Sequence, residues 1–175
     1  TSLKTLITLI CLTATLCSGL TFAQASANDS PPANPCLSTD SAMGDSAFWA
    51  VTAVDQFAAK NYTAAVTTVD ACFSQWGPEA GHAQKKMHNE KTRCPRTGKV
   101  SGMNKKKIEK NYLINDVSMA LWAKANSLHK LGETELAKKA YSQCVYMTCG
   151  RAWDPEGWYW SPAKDCAKNI RKLLK

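Results

Sequence analysis

The chain has 175 residues, 45% of them hydrophobic and 9% aromatic, which leaves room for one domain and gives that domain a core. A long multidomain enzyme and a low-hydrophobicity tail are both excluded. The formal charge is +8, a balance that favours anionic partners.

The first 25 residues differ in kind from the rest. Lys4 is their only charge, and "TLITLICLTATLCSGLTFA" is uncharged and ends before the small-residue sites Ala23-Gln24-Ala25 and Ala25-Ser26-Ala27. That order predicts a cleaved export signal over 1–25 and places the protein in the periplasm or outside the cell. Five Thr, a Ser and a Gly dilute the apolar stretch, which disfavours a retained membrane anchor. Export also argues against nucleic acid as the anionic partner. A Pro/Asn/Ser linker is expected over 26–38, and a single helical domain over 39–175.

Helical periodicity then runs through most of the chain. In "FWAVTAVDQFAAKNYTAAVTTVDACFSQW", Tyr62, Ala65, Val66, Val69, Cys72, Phe73 and Trp76 recur at spacings of three and four. A break at Lys60-Asn61 predicts two helices, over 41–59 and 62–75. Residues of about 77–104 carry Gly, Pro and charge and read as a basic insert. Between residues 82 and 111 ten Lys or Arg face only two Glu, so the whole excess charge sits there. Its candidate patch is Lys85, Lys86, Arg93, Arg96, Lys105, Lys106 and Lys107, suited to anionic glycans or lipid surfaces. Asn104 is expected to cap a long helix ending near Leu131 before Gly132, followed by a helix over 134–146. Ser161 and Pro162 predict the start of a terminal helix. No stretch alternates with period two, and the fold class is all-α.

Residues 48–73 superpose on 120–145 without a gap, matching Ala53 to Ala125, Ala65 to Ala137 and Cys72 to Cys144. The same frame fits the tetratricopeptide pattern, in which small residues mark the close crossing of two helices. Two tetratricopeptide-like hairpins and a C-terminal capping helix are therefore expected. Six cysteines follow the signal: Cys36, Cys72, Cys94, Cys144, Cys149 and Cys166. An even number in an oxidising compartment predicts disulfides. Zinc is disfavoured, since Cys144 and Cys149 are the nearest pair and stand too far apart for a ligand knuckle. Hairpin geometry places Cys36 near Cys72 and Cys166 near Cys144 or Cys149, leaving Cys94 the remaining one.

"RAWDPEGWYWSPA" (151–163) contains a Pro-Glu-Gly turn flanked by indoles. Trp153, Asp154, Trp158, Tyr159 and Trp160 read first as a strap beneath the terminal helix, and alternatively as a platform stacking sugar rings. Asp154 and Glu156 on one tight turn make a poor glycosidase pair, which needs carboxyls about 5–10 Å apart across a rigid cleft. No phosphate-binding glycine loop and no G-x-S-x-G occurs.

"RCPRTGKVS", "NYLINDVSMALWAKANSLHKLGE" and "RAWDPEGWYWSPA" together resemble a group of bacterial tetratricopeptide-like proteins of undetermined function, over about residues 48–170. These share C-P-x-x-G-x-V, L-x-N-D-V and W-D-P-x-G-W-x-W-S-P-A segments, and some bear the names beta-glucanase or beta-glucan synthetase precursor. The resemblance implies a helical-repeat fold and a repeated use of the aromatic turn. The leading expectation is a non-enzymatic adaptor of the cell envelope, monomeric or oligomeric, without cofactor or metal. It would dock a protein or peptide partner through Asn115, Asp116 and Lys124. The alternative is a glycan-binding or glycan-processing accessory protein that uses the aromatic turn on beta-glucan or peptidoglycan.

Overall fold

A computed structural model describes residues 34–175. The expected export signal and residues 26–33 of the expected linker lie outside the described residues. Helices α1 (Asp45–Ala58) and α2 (Tyr62–Asn89) form one hairpin, and α4 (Tyr112–Lys130) and α5 (Thr134–Tyr146) form a second. A short helix α3 (Gly102–Lys110) precedes α4. A two-stranded ribbon, β1 (Ala152–Asp154) and β2 (Trp158–Trp160), leads into the terminal helix α6 (Pro162–Leu173), which packs on α5. The fold is all-α and stapled by disulfides, with this small ribbon as its one sheet among the described residues.

The two hairpins turn alike. After α1, Asn61 N–H donates to Gln56 O and Lys60 takes a φ of 62°. After α4, Glu133 N–H donates to Leu128 O and Gly132 takes a φ of 79°. Both turns use one residue in the left-handed region to close the helix end. Small side chains then set the spacing. Ala53, Ala65, Ala120, Ala123, Ala125 and Ala137 are all fully buried, which brings α1, α2 and α5 close around α4. Trp49 fills the largest remaining space, donating from Nε1 to Thr68 O at 2.8 Å and packing on Trp76 with ring centroids 4.9 Å apart.

Four sequence expectations change. The helix expected to stop at residue 75 continues to Asn89 through Gly77, Pro78 and Gly81. Packing overrides the breakers there: Ala80 and Gln84 are buried, and Gln84 Oε1 accepts from Cys149 N–H at 2.9 Å. The basic insert is therefore helix up to Asn89 and loop only over 90–101. The long helix expected from Asn104 is two helices, because Asn111 leaves helical geometry (ψ 28°) and Asn115 Nδ2 donates to Ile108 O at 2.8 Å. Asn104 sits inside α3, whose N-cap is Ser101. Finally, the end of the linker is tied down, with Ser38 N–H donating to Asp45 Oδ1 at 2.8 Å and Cys36 cross-linked.

The disulfides are Cys36–Cys72, Cys94–Cys149 and Cys144–Cys166. The first ties the entry of hairpin one to α2, the third ties α6 to α5, and the second fastens the loop after α2 to the segment after α5. In the chain-entropy view each contributes roughly 2–4 kcal/mol. Three such bonds mark a chain that folds in an oxidising environment.

The segment after α5 lands on α4 at Gly150. A Cβ there would stand 2.6 Å from Ser118 Cβ, closer still to Ser118 Oγ, and 3.2 Å from Ile114 O. Gly150→Ala is expected to lower stability by about 1–3 kcal/mol in urea unfolding, with partial recovery on adding Ser118→Gly. An unchanged midpoint for Gly150→Ala would contradict this close approach.

Candidate functional site

Arg151 follows Gly150 and is buried, at 6% exposure. Its Nε and Nη2 donate to Pro95 O at 2.9 and 2.6 Å, and Nη1 donates to Thr148 O and Gly150 O at 2.9 and 2.6 Å. Every acceptor is a backbone carbonyl. No carboxylate pairs with Arg151 among the described residues, and burial lowers its affinity for its proton. Asn115 supports the same segment by accepting from Arg151 N–H at 2.9 Å.

These bonds clamp the loop that carries Arg93 and Arg96. Cys94 is tied to Cys149 and Pro95 to the Arg151 guanidinium. Gly98 exchanges both backbone hydrogen bonds with Tyr159, at 2.7 and 3.0 Å. The loop thus has fixed ends and outward cations. Arg93, Cys94, Pro95, Arg96, Asn104 and Lys107 line an open depression of about 550 Å³. The rest of the expected basic patch stands apart from it. Lys86 pairs with Glu90 at 3.9 Å and Lys105 with Glu109 at 3.8 Å, while Lys85 and Lys106 are exposed to solvent.

The other side of the same loop meets the aromatic ribbon. Ala152 pairs with Trp160, Trp153 with Tyr159 and Asp154 with Trp158. This register divides the aromatics between two faces. Tyr159 is buried and meets Trp153 edge-on at 4.9 Å. Trp160 is half-buried and meets Trp122 edge-on at 5.4 Å, and Trp122 in turn packs on Phe57 and donates from Nε1 to Asp165 Oδ2 at 2.7 Å. Trp153 and Trp158 are 53% and 36% exposed, on opposite faces. The ribbon therefore packs Tyr159 and Trp160 inward and leaves Trp153 and Trp158 exposed. Thr97, Gly98, Trp158, Tyr159, Trp160 and Ser161, with Lys164, Asp165 and Lys168 of α6, border a second depression of about 470 Å³. Asp154 Oδ1 accepts from Glu156 N–H at 2.9 Å and shapes the turn.

Asn115, Asp116 and Lys124 are not assembled into one contact surface. Asn115 bridges α3 and Arg151 as above. Lys124 pairs with Asp70 of α2. Asp116 Oδ2 accepts from Ser46 Oγ at 2.7 Å, half-buried in a pocket with Asp45, Trp76, Glu79, Tyr112 and Leu113. Burial pushes its carboxyl up to about 6, against the opposing pull of the Ser46 bond. Arg151, Lys164 and Lys168 went unnoticed in the sequence. An Arg beside an aromatic turn carries no burial signal of its own, and the two lysines read as ordinary surface of a basic helix.

Among the described residues, no three His, Cys, Asp or Glu side chains converge as a metal ion would need, and no helix is long and apolar enough to cross a membrane. No family model matches the chain, and neither the curated proteins nor the solved structures contain a match to it.

Because its folded pKa lies above the ordinary 3.8, Asp116 favours folding fully below that value, and the contribution disappears as pH rises through about 6. Asp116→Asn should therefore flatten this part of the stability profile and stabilise the protein at pH 7.5 by roughly 1–2 kcal/mol. Urea midpoints at pH 4 and 7.5 measure it. Identical pH profiles for the two proteins would show that the carboxyl is not strained.

Proposed function

We propose that this chain is a non-enzymatic binding module, exported to the periplasm or the cell exterior and built on tetratricopeptide-like hairpins, whose ligand is a glycan. The carrying observation is the exposed indole of Trp158 beside the half-buried Trp160 on one face of β2, along the depression that Ser161, Lys164, Asp165 and Lys168 complete. Residues two apart on a strand share a face, so the two indoles offer successive apolar surfaces to the CH faces of a sugar chain. Hydroxyl, ammonium and carboxylate groups at the rim suit sugar hydroxyls. Trp160 is already ordered against Trp122, which lowers the entropy cost of binding.

Tryptophan fluorescence on titration with soluble β-glucan and peptidoglycan fragments tests this reading. A saturable shift is expected, weakened about tenfold or more in Trp158→Ala with circular dichroism and melting unchanged. No saturable shift with either ligand class, or full binding by Trp158→Ala, would refute it.

A second reading keeps a protein partner. Phe73, Gly77 and Gly81 of α2 and Gln143, Tyr146 and Met147 near α5 flank an apolar depression floored by Val117 and Leu121. It shares Phe73, Leu121 and Gln143 with a neighbouring pocket edged by Lys124 and Lys139. Lys124 is paired with Asp70 of the same pocket, so the channel suits an acidic amphipathic helix that is apolar toward the floor and complementary to Lys139 and the basic chain. Open space surrounds Gly81, so Gly81→Trp would fill the channel. An acidic amphipathic peptide that binds the native chain but not Gly81→Trp supports a protein partner, and equal behaviour toward both proteins rules it out.

A further inference from the structure

We propose that the cationic depression of Arg93, Arg96 and Lys107 is a seat for the acidic groups of a glycan, so that the ligand carries carboxylate or phosphate substituents; this rests on the glycan reading above. Three observations converge. The lining holds three cations and no carboxylate. None of the three pairs with an acid among the described residues, whereas Lys86 and Lys105, on the neighbouring helices, are each paired. Lys85, Lys91, Lys99, Lys106 and Lys110 are unpaired as well, but among the described residues the depression is where three unpaired cations share one concave lining.

Next, a fourth positive charge stands behind the wall. Pro95 borders the depression, and its carbonyl takes two hydrogen bonds from the buried Arg151 guanidinium, which has only backbone carbonyls around it. A buried cation without an anion is costly, and part of that cost is relieved when an anion enters nearby. The lowered proton affinity of Arg151 agrees with an uncompensated environment.

The third observation concerns continuity. Arg93 to Arg96 border the cationic depression, and the next two residues, Thr97 and Gly98, border the aromatic one. One loop separates the two, held by the Cys94–Cys149 disulfide, by Arg151 and by the Gly98–Tyr159 bridge. A sugar chain whose rings lie on Trp158 and Trp160 reaches the arginines by crossing that loop. The clamped loop fixes the backbone of Arg93 and Arg96 in advance of binding, and guanidinium groups match carboxylate and phosphate oxygens two at a time.

The test compares three hexasaccharides of one β-linkage: neutral glucose, the same chain with C6 carboxylates, and the same chain with C6 phosphates. Calorimetry on the native protein at low salt is expected to show about tenfold or tighter binding of at least one acidic chain over the neutral one, shrinking in high salt. The tighter of the two names the acid. In Arg93→Gln/Arg96→Gln, whose side chains are both exposed, the preference is expected to fall to about twofold or less while neutral binding stays unchanged. Neutral binding without an acidic preference, or a preference that survives in the double variant, overturns the anionic seat and leaves the glycan reading standing. Absence of binding by all three chains overturns both.

Discussion

The contact between Gly150 and Ser118 is the constraint from which the rest of the site follows. α4 is the helix on which every other layer leans, and only a residue without a side chain lets the returning backbone lie against it. Once Gly150 is seated there, Arg151 has one direction to go: inward, to the carbonyls of Pro95, Thr148 and Gly150 itself. That guanidinium then determines where the loop after α2 runs, and the loop determines where Arg93 and Arg96 stand. A steric fact about one glycine is in this way converted into the position of a charged surface.

The aromatic ribbon divides one short segment between packing and solvent-facing aromatic surface. A two-stranded ribbon of three residues per strand is too small to be stable alone, and it holds because its inner residues are used elsewhere. Trp160 is wedged against Trp122, which also touches Phe57 of the first hairpin and Asp165 of α6. Tyr159 is locked by the bridge to Gly98. The packed half of the ribbon therefore carries the exposed half, on which Trp158 is displayed.

Charge is divided along similar lines. Lys86 of α2 and Lys105 of α3 meet glutamates one turn away and contribute little beyond solubility. The arginines of the clamped loop have no such neighbours, and a disulfide and a buried cation hold the backbone between them. A net charge of +8 is a statement about the whole chain, but the part available to a ligand is the part left unpaired by the fold.

The hairpins were legible in the sequence because their signal is local. Alanines at fixed spacing in residues 48–73 and 120–145 state where two helices must cross, and the turn residues Lys60 and Gly132 fall at equivalent points. The same geometry pointed Cys36 to Cys72, since the ends of a hairpin lie together, but left Cys166 between Cys144 and Cys149, a choice made by the packing of α6 on α5. What stayed hidden was decided by contacts between distant segments. Gln84, bonded to Cys149, and Ala80, buried in the core, carry α2 through Gly77, Pro78 and Gly81, and local propensity alone stops the helix there. Asn115 looked like a free inner-face polar residue, but it is consumed by Ile108 and Arg151. The sequence by itself determined the helical class, the Cys36–Cys72 partnership and the segment that holds the aromatics. Only tertiary structure decided which indoles face solvent and which cations stand unpaired, because exposure and neutralisation depend on neighbours that periodicity cannot name.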